Sequence, residues 1–298
     1  MVRPEFPTAE IRRGVPLAAN SGEILARLEK SLLSHRISPH PACRFAKYRK
    51  IFQARNYGTM SAAPTQEQLY ATAELFQMDW IVSCFAQDDA LWPAIERAFF
   101  RDPAVPSHTN VHSPGRDLQF ELYVAARLTM AGLSPVFAEP DIRADLVGWP
   151  FGVAVKRVKS RPALIAAIRQ ARDQISRHEL DGIVALDYSF IAASDNSPYA
   201  SGDLDAACAW MQQFSEREFH PVWPKIQKIV SKCQHVIGII IITRLLHLHP
   251  DHHTHQISEL MFSRPTCVPS DRRFDAFIAI EERLSTSVLP PRLHAVDV

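Results

Sequence analysis

The sequence predicts an α/β fold in which helices flank a mixed β-sheet, preceded by an N-terminal helical region. Three observations carry that prediction. Residues 1–110 repeat apolar positions at helical spacing. Three short extended runs between Pro135 and Val158 are joined by connections too short for helices. Two further apolar runs, Gly182 to Ala192 and Val236 to Thr243, follow helical segments, an order that lays a sheet between helices.

Along the chain, helices are expected over Glu23 to Leu33, Thr65 to Phe85 and Ala90 to Phe100. Thr65 and Gln68 form a capping box, and Leu69, Ala73, Phe76 and Trp80 recur behind it on one helical face as core. The segment Arg101 to Gly115, with Pro103, Pro106, Pro114, His108, Asn110 and His112, has no periodicity and reads as a linker or surface loop. It places a boundary between an N-terminal helical region, 1–110, and a second domain, 111–298. In the second domain Phe120, Val124, Leu128 and Ala131 mark a helix that ends at Gly132, a residue suited to the left-handed C-terminal position.

The extended runs Pro135 to Ala138, Ile142 to Val147 and Phe151 to Val158 form a meander turning near Gly148-Trp149. A helix from Pro162 to His178 follows, with Ser160 as its expected N-cap. Then come a buried strand, Gly182 to Ala192, and two helices, Asp203 to Gln213 and Glu216 to Lys232, the second opened by a Ser215-Glu218 capping box. The strand Val236 to Thr243 and a partner, His255 to Phe262, complete the sheet.

Composition excludes several classes. With 298 residues, 47% apolar and 22% charged, the chain can bury a full core and is unlike disordered, collagenous or disulfide-framework proteins. The 33 Lys and Arg against 32 Asp and Glu give a net charge of +1, so attraction to nucleic acid must come from a local patch. The five cysteines are odd in number and form no CxxC pair, which points to a reducing, cytoplasmic setting. The N-terminus lacks the apolar core of a signal peptide, and the longest apolar stretch, Val236 to Ile242, is far short of the ~20 residues of a spanning helix, so no membrane is expected.

The residues with a chemical pattern are Glu121, Asp141 and Lys156. Asp141 opens one strand of the meander and Lys156 lies near the end of the next, so hairpin pairing brings them together, while Glu121 on the preceding helix approaches from above. Carboxylates converging from separate elements form an oxygen cage for Mg²⁺, and a neighbouring lysine can orient water or neutralise phosphate charge. That equipment suits metal-assisted phosphodiester hydrolysis. Asp145, on the strand face of Asp141 and Arg143, is an alternative ligand. Gln170 and Gln174, one turn apart on the following helix, are candidates for contacts to substrate or water. From Lys156 to His178 seven Lys or Arg (Lys156, Arg157, Lys159, Arg161, Arg169, Arg172 and Arg177) stand against one acid, Asp173, a pattern suited to phosphate contacts.

The segments FELYVAARL, EPDIRADL and GVAVKRVKS resemble the PD-(D/E)xK nuclease superfamily, which includes restriction endonucleases and archaeal-type Holliday junction resolvases. The resemblance runs from Gly115 to near Phe262, with Pro140-Asp141 as the PD pair and Ala154-Val155-Lys156 in the place of (D/E)xK; the thirteen-position step from Asp141 to Ala154 is similar to spacings in the resolvase branch. It implies a restriction-endonuclease-like domain and catalytic positions at Glu121, Asp141, Ala154 and Lys156. Glu121 and Asp141 would be ligands for Mg²⁺ or Mn²⁺, Lys156 the catalytic lysine and DNA the substrate, with RNA left open. Alanine at 154 departs from the pattern, because a methyl group neither ligates metal nor accepts a proton. Either the protein is a natural pseudo-nuclease that binds nucleic acid without cutting, as a catalytically dead or regulatory subunit, or Ala154 is an engineered replacement for a glutamate of a complete motif. The retention of Glu121, Asp141 and Lys156 favours the second. A homodimer and a role in bacterial defence are further implications of the resemblance, and the N-terminal helices are candidates for recognising a protein partner or a target.

His247, His249, Asp251 and His252 spell HxHxDH, which resembles the zinc signature of metallo-β-lactamase-fold hydrolases. That fold needs further ligands on later strands, and His253, His255 and His294 are the only later histidines, so a His-rich loop between two strands is the preferred reading. There is no P-loop, dinucleotide fingerprint, nucleophile elbow or local cysteine-protease signature.

Overall fold

The computed structural model describes residues 21–53, 66–102, 113–194, 204–248 and 255–286. Four helices come first: α1 (Ser21–Ser34), α2 (Arg44–Gln53), α3 (Gln66–Phe85) and α4 (Trp92–Phe100). Helix α5 (Pro114–Met130) leads into β1 (Val136–Ala138), β2 (Asp141–Leu146) and β3 (Trp149–Arg157), followed by α6 (Ala163–His178) and β4 (Gly182–Asp187). Three helices, α7 (Ser189–Ser194), α8 (Leu204–Phe219) and α9 (Trp223–Val230), precede β5 (Val236–Leu248), β6 (His255–Pro265) and α10 (Arg272–Thr286).

The six strands form one mixed sheet in sequence order. Strands β1, β2 and β3 are mutually antiparallel, β3, β4 and β5 run parallel, and β6 returns antiparallel on β5. Parallel neighbours need crossovers, which α6 supplies from β3 to β4 and α7 to α9 from β4 to β5. Side-chain alternation divides the buried residues into two layers. Phe151, Val153, Ile183, Ala185, Ile240 and Ile242 face α5 and α10, whereas Ala154, Val184, Leu186, Ile239 and Ile241 face α6 and α9. The first layer continues without a break into Ile24, Leu28, Leu75, Met78, Ile95 and Phe99 of the N-terminal helices.

Local chemistry explains the elements beside the site. The face Phe120, Val124 and Leu128 of α5 is buried as periodicity requires. Its end is a Schellman motif: Gly132, at φ +71°, donates its N–H to the Thr129 carbonyl, and Leu133 donates to Leu128. Strands β2 and β3 are closed by a two-residue turn, Val147 (φ 53°) and Gly148 (φ 84°), between paired Leu146 and Trp149, one residue earlier than the sequence indicates. Asp145 Oδ1 accepts the Gly148 N–H at 2.6 Å, which assigns Asp145 to the turn rather than to the site.

Several expectations are corrected. Helix α2 was hidden because its inward face includes Arg44 and Tyr48, residues that read as polar in sequence yet are fully buried. Helix α10 follows the last expected strand, and Phe277 and Ile280 seal it against the sheet. Strand β4 stops at Asp187, whose Oδ1 accepts the Ser189 N–H at 3.0 Å, and the apolar run beyond it folds as α7; a short apolar run does not separate strand from helix. The break expected at Ser215 is absent. Ser215 is buried within α8, the chain breaks at His220 to Val222, and Pro224 starts α9 in the first turn, where its missing N–H does no harm. Helix α6 begins after Pro162 with no side-chain cap, and Ser160 contributes its carbonyl to Ala163. Thr65, most of the Arg101 to Gly115 segment, and His249, Asp251, His252, His253 and His294 lie outside the described residues.

Candidate active site

Strand β2 begins at Asp141 after the tight β1–β2 turn through Glu139 and Pro140, and the turn is pressed against β3. A Cβ on Gly152 would stand 2.7 Å from Pro140 Cγ, so the bare glycine lets the proline ring close on the strand and sets where Asp141 emerges. Lys156 stands near the carboxyl end of β3, on the same sheet face as Ala154.

These placements create a compact hydrogen-bonded group. Asp141 Oδ2 accepts the Val155 N–H at 2.7 Å and Lys156 Nζ at 2.9 Å. Lys156 Nζ also donates to the Val155 carbonyl at 2.9 Å. Gln174, on α6, donates its amide to Asp141 Oδ1 at 2.7 Å, to Glu139 Oε2 at 3.1 Å and to the Pro140 carbonyl. The Asp141 and Lys156 side chains are 15% and 23% exposed, dry enough to strengthen the ion pair and wet enough for solutes to reach.

Glu121 approaches from α5. It lines, with Asp141 and Glu139, a cleft of about 350 Å³ whose other walls are Leu91, Ala94, Arg97, Leu118, Phe137 and Ala138. Burial pushes the Glu121 carboxyl up to about 7, and the charges of Asp141, Asp117 and Glu139 push the same way against the opposing pull of Lys156. A half-buried carboxyl facing other carboxylates holds its proton near neutrality, and a cation in the cleft would release it.

Ala154 is fully buried in the apolar cluster that contains Ile168 and Ala171 of α6 and Val184 of β4. Of the four predicted catalytic positions, Glu121 and Asp141 are the carboxylates, and both line the cleft. Among the described residues no group of three His, Cys, Asp or Glu stands close enough to hold a metal ion together. Two carboxylates with water match the usual coordination of Mg²⁺, which keeps several waters and takes one or two protein carboxylates.

Of the other predicted residues, Gln174 joins the group and Gln170 is exposed. The basic run is largely neutralised. Arg157 Nε pairs with Asp187 at 3.2 Å, Lys159 with Asp117 at 3.4 Å, Arg161 with Glu218 at 2.7 Å, and Arg172 with Asp173, while Arg169 is exposed. Sequence reasoning missed Glu139, whose position next to the PD pair was the available signal. It also missed the cleft wall from α4, for which no local signal exists.

A second polar group lies buried nearby. Glu74 of α3 accepts Arg116 Nε at 2.5 Å and the Tyr48 hydroxyl at 2.7 Å, and pairs with Arg44 Nη1 at 2.8 Å. Burial by itself would raise the Glu74 carboxyl, but Arg116 and Arg44 overcome it and hold it at about 2. At the end of β4, Asp187 pairs with Arg244 of β5 at 2.9 Å and likewise lies at about 2 despite its burial.

Comparison with protein-family models, with curated proteins and with solved structures returns no match. Within the described residues no helix is long and apolar enough to cross a membrane.

Proposed function

We propose that the chain is a nuclease of the PD-(D/E)xK type, a divalent-metal-dependent phosphodiesterase acting on DNA, held inactive or nearly so by alanine at position 154. One observation carries the reading: Asp141 and Lys156, on neighbouring strands, are in contact at 2.9 Å beside a cleft that Glu121 enters from the opposite helix. The surrounding order supports it. A helix, three antiparallel strands, a helix and a strand parallel to the third are similar to the common core of that superfamily.

Glu121 and Asp141 would hold Mg²⁺ or Mn²⁺. The ion would supply charge neutralisation at the phosphate and a more acidic water. The protein's own groups do the rest. Gln174 orients Asp141 by donating to Oδ1, and the Val155 N–H and Lys156 both donate to Oδ2, so the lone pair left for an ion is on Oδ1. Lys156, already beside Asp141, presents an ammonium to a phosphate that enters the cleft and offsets charge developing on it.

The test compares plasmid and single-strand cleavage, in Mg²⁺ and in Mn²⁺, by this chain, by Ala154→Glu and by Ala154→Glu combined with Lys156→Ala. Cleavage is expected from Ala154→Glu and its loss from the double variant. Inactivity of all three would overturn the catalytic reading. A second reading, a DNA-binding or regulatory subunit without catalysis, is favoured by the complete burial of Ala154 in an apolar cluster. It requires DNA binding that is indifferent to the residue at 154.

A further inference from the structure

The cleft beside Glu121 and Asp141 has two kinds of wall. Leu91, Ala94, Leu118 and Phe137 make an apolar side, and Glu121, Glu139 and Asp141 make an acidic one. Arg97, on the exposed face of α4, is the cation among the lining residues. A volume of about 350 Å³ lies at the small end of the roughly 300–1,000 Å³ typical of small-ligand sites. It suits one base with its sugar rather than a base pair.

Half-buried Phe137 is the aromatic residue on the apolar side. A nucleobase can stack on an aromatic ring only if that base face is free, and inside a duplex both faces are covered by neighbouring bases. The acidic side would repel a bare phosphodiester and admits one only together with a divalent cation, while Arg97 can take a neighbouring phosphate directly. Helix α4 contributes Ala94 and Arg97, with Leu91 just before it, so the N-terminal helices build one half of the cleft.

Resting on the nuclease reading, the geometry points to single-stranded DNA, or the frayed end of a duplex, as the substrate. One unstacked base lies against Leu91, Leu118 and Phe137, Arg97 contacts a flanking phosphate, and the target phosphodiester sits beside Glu121 and Asp141. Helix α4 is then the wall that selects single strands.

The test is fluorescence anisotropy of this chain, in Ca²⁺, with one labelled oligonucleotide presented as a single strand and as a blunt duplex of equal length. The single strand is expected to bind roughly tenfold more tightly, the scale of one stacked base. Phe137→Ala and Arg97→Ala should each shrink that ratio severalfold, and Phe137→Tyr should preserve it. Arg97 is exposed, so its variant keeps the test decisive even if Phe137→Ala unfolds. Equal binding of the two forms, or an unchanged ratio in Arg97→Ala and in folded Phe137→Ala, overturns the assignment. Should duplex be bound and, by Ala154→Glu, cleaved in an Asp141-dependent way without any single-strand preference, this inference falls and the nuclease reading stands. Binding of neither form overturns both.

Discussion

Glu121 is the residue whose protonation state the fold alters most clearly at the site. Its ordinary carboxyl value of 4.5 rises to about 7, so the folded state holds the proton more tightly than the unfolded chain does. The resulting stability is complete below about 4.5 and is lost as the pH climbs through 7. Glu121→Gln, which imitates the protonated form, should therefore match the parent in urea unfolding at pH 4 and exceed it at pH 8, by about 1–2 kcal/mol once partial solvent screening is allowed for. A parallel pH profile for the two proteins would contradict this account.

Ala154 makes the reverse case, a neutral residue where charge would be costly. Ala154→Glu buries a carboxylate among apolar side chains close to Asp141, so in chelator its melting temperature should drop by several degrees, equivalent to about 2 kcal/mol or more. Mn²⁺ should raise that temperature further in Ala154→Glu than in the parent, because an ion binding only the folded state stabilises it. Equal Mn²⁺ shifts in the two proteins would show that the introduced carboxylate does not reach the ion.

At the scale of elements, the hairpin β2–β3 brings Asp141 and Lys156 together, and its turn contains a strained position. Val147 is 85% exposed and sits at φ 53°, a conformation in which a β-branched side chain crowds the backbone. Val147→Asn should stabilise the protein by about 1 kcal/mol, read as a higher thermal midpoint, because asparagine tolerates the left-handed region and no buried contact is lost. The meander itself could be read from sequence, since strands joined by two-residue turns must pair locally. The helices were harder wherever a polar residue faced inward. Arg44 and Tyr48 disguised α2, and buried Ser215 imitated a cap in the middle of α8.

Across the whole molecule, the buried group around Glu74 ties the N-terminal helices α2 and α3 to α5. Glu74 and Arg116 are 42 residues apart and join α3 to α5, the helix that carries Glu121. Glu74→Gln would leave Arg44 and Arg116 buried without their counter-charge, and a loss of about 3–5 kcal/mol is expected by urea titration at pH 7. A loss below 1 kcal/mol would mean that the arginines find solvent or other partners. The depressed value of Glu74 gives the pH dependence the opposite sign from Glu121. Its contribution is present above about 4.5 and disappears as the pH falls through 2.

Amino-acid order alone was enough for what depends on neighbours in the chain: the meander, the helix ended by Gly132, and the meeting of Asp141 with Lys156 across one hairpin. Packing alone decided what depends on distant partners. It buried Arg44 against Glu74, brought Gln174 onto Asp141 from 33 residues away, and set Arg97 of α4 in the cleft that Glu121 and Asp141 line. The physical reason is that turn geometry and hydrophobic period act over a few residues, whereas the stability of a buried charge is set by whichever counter-charge the fold places beside it.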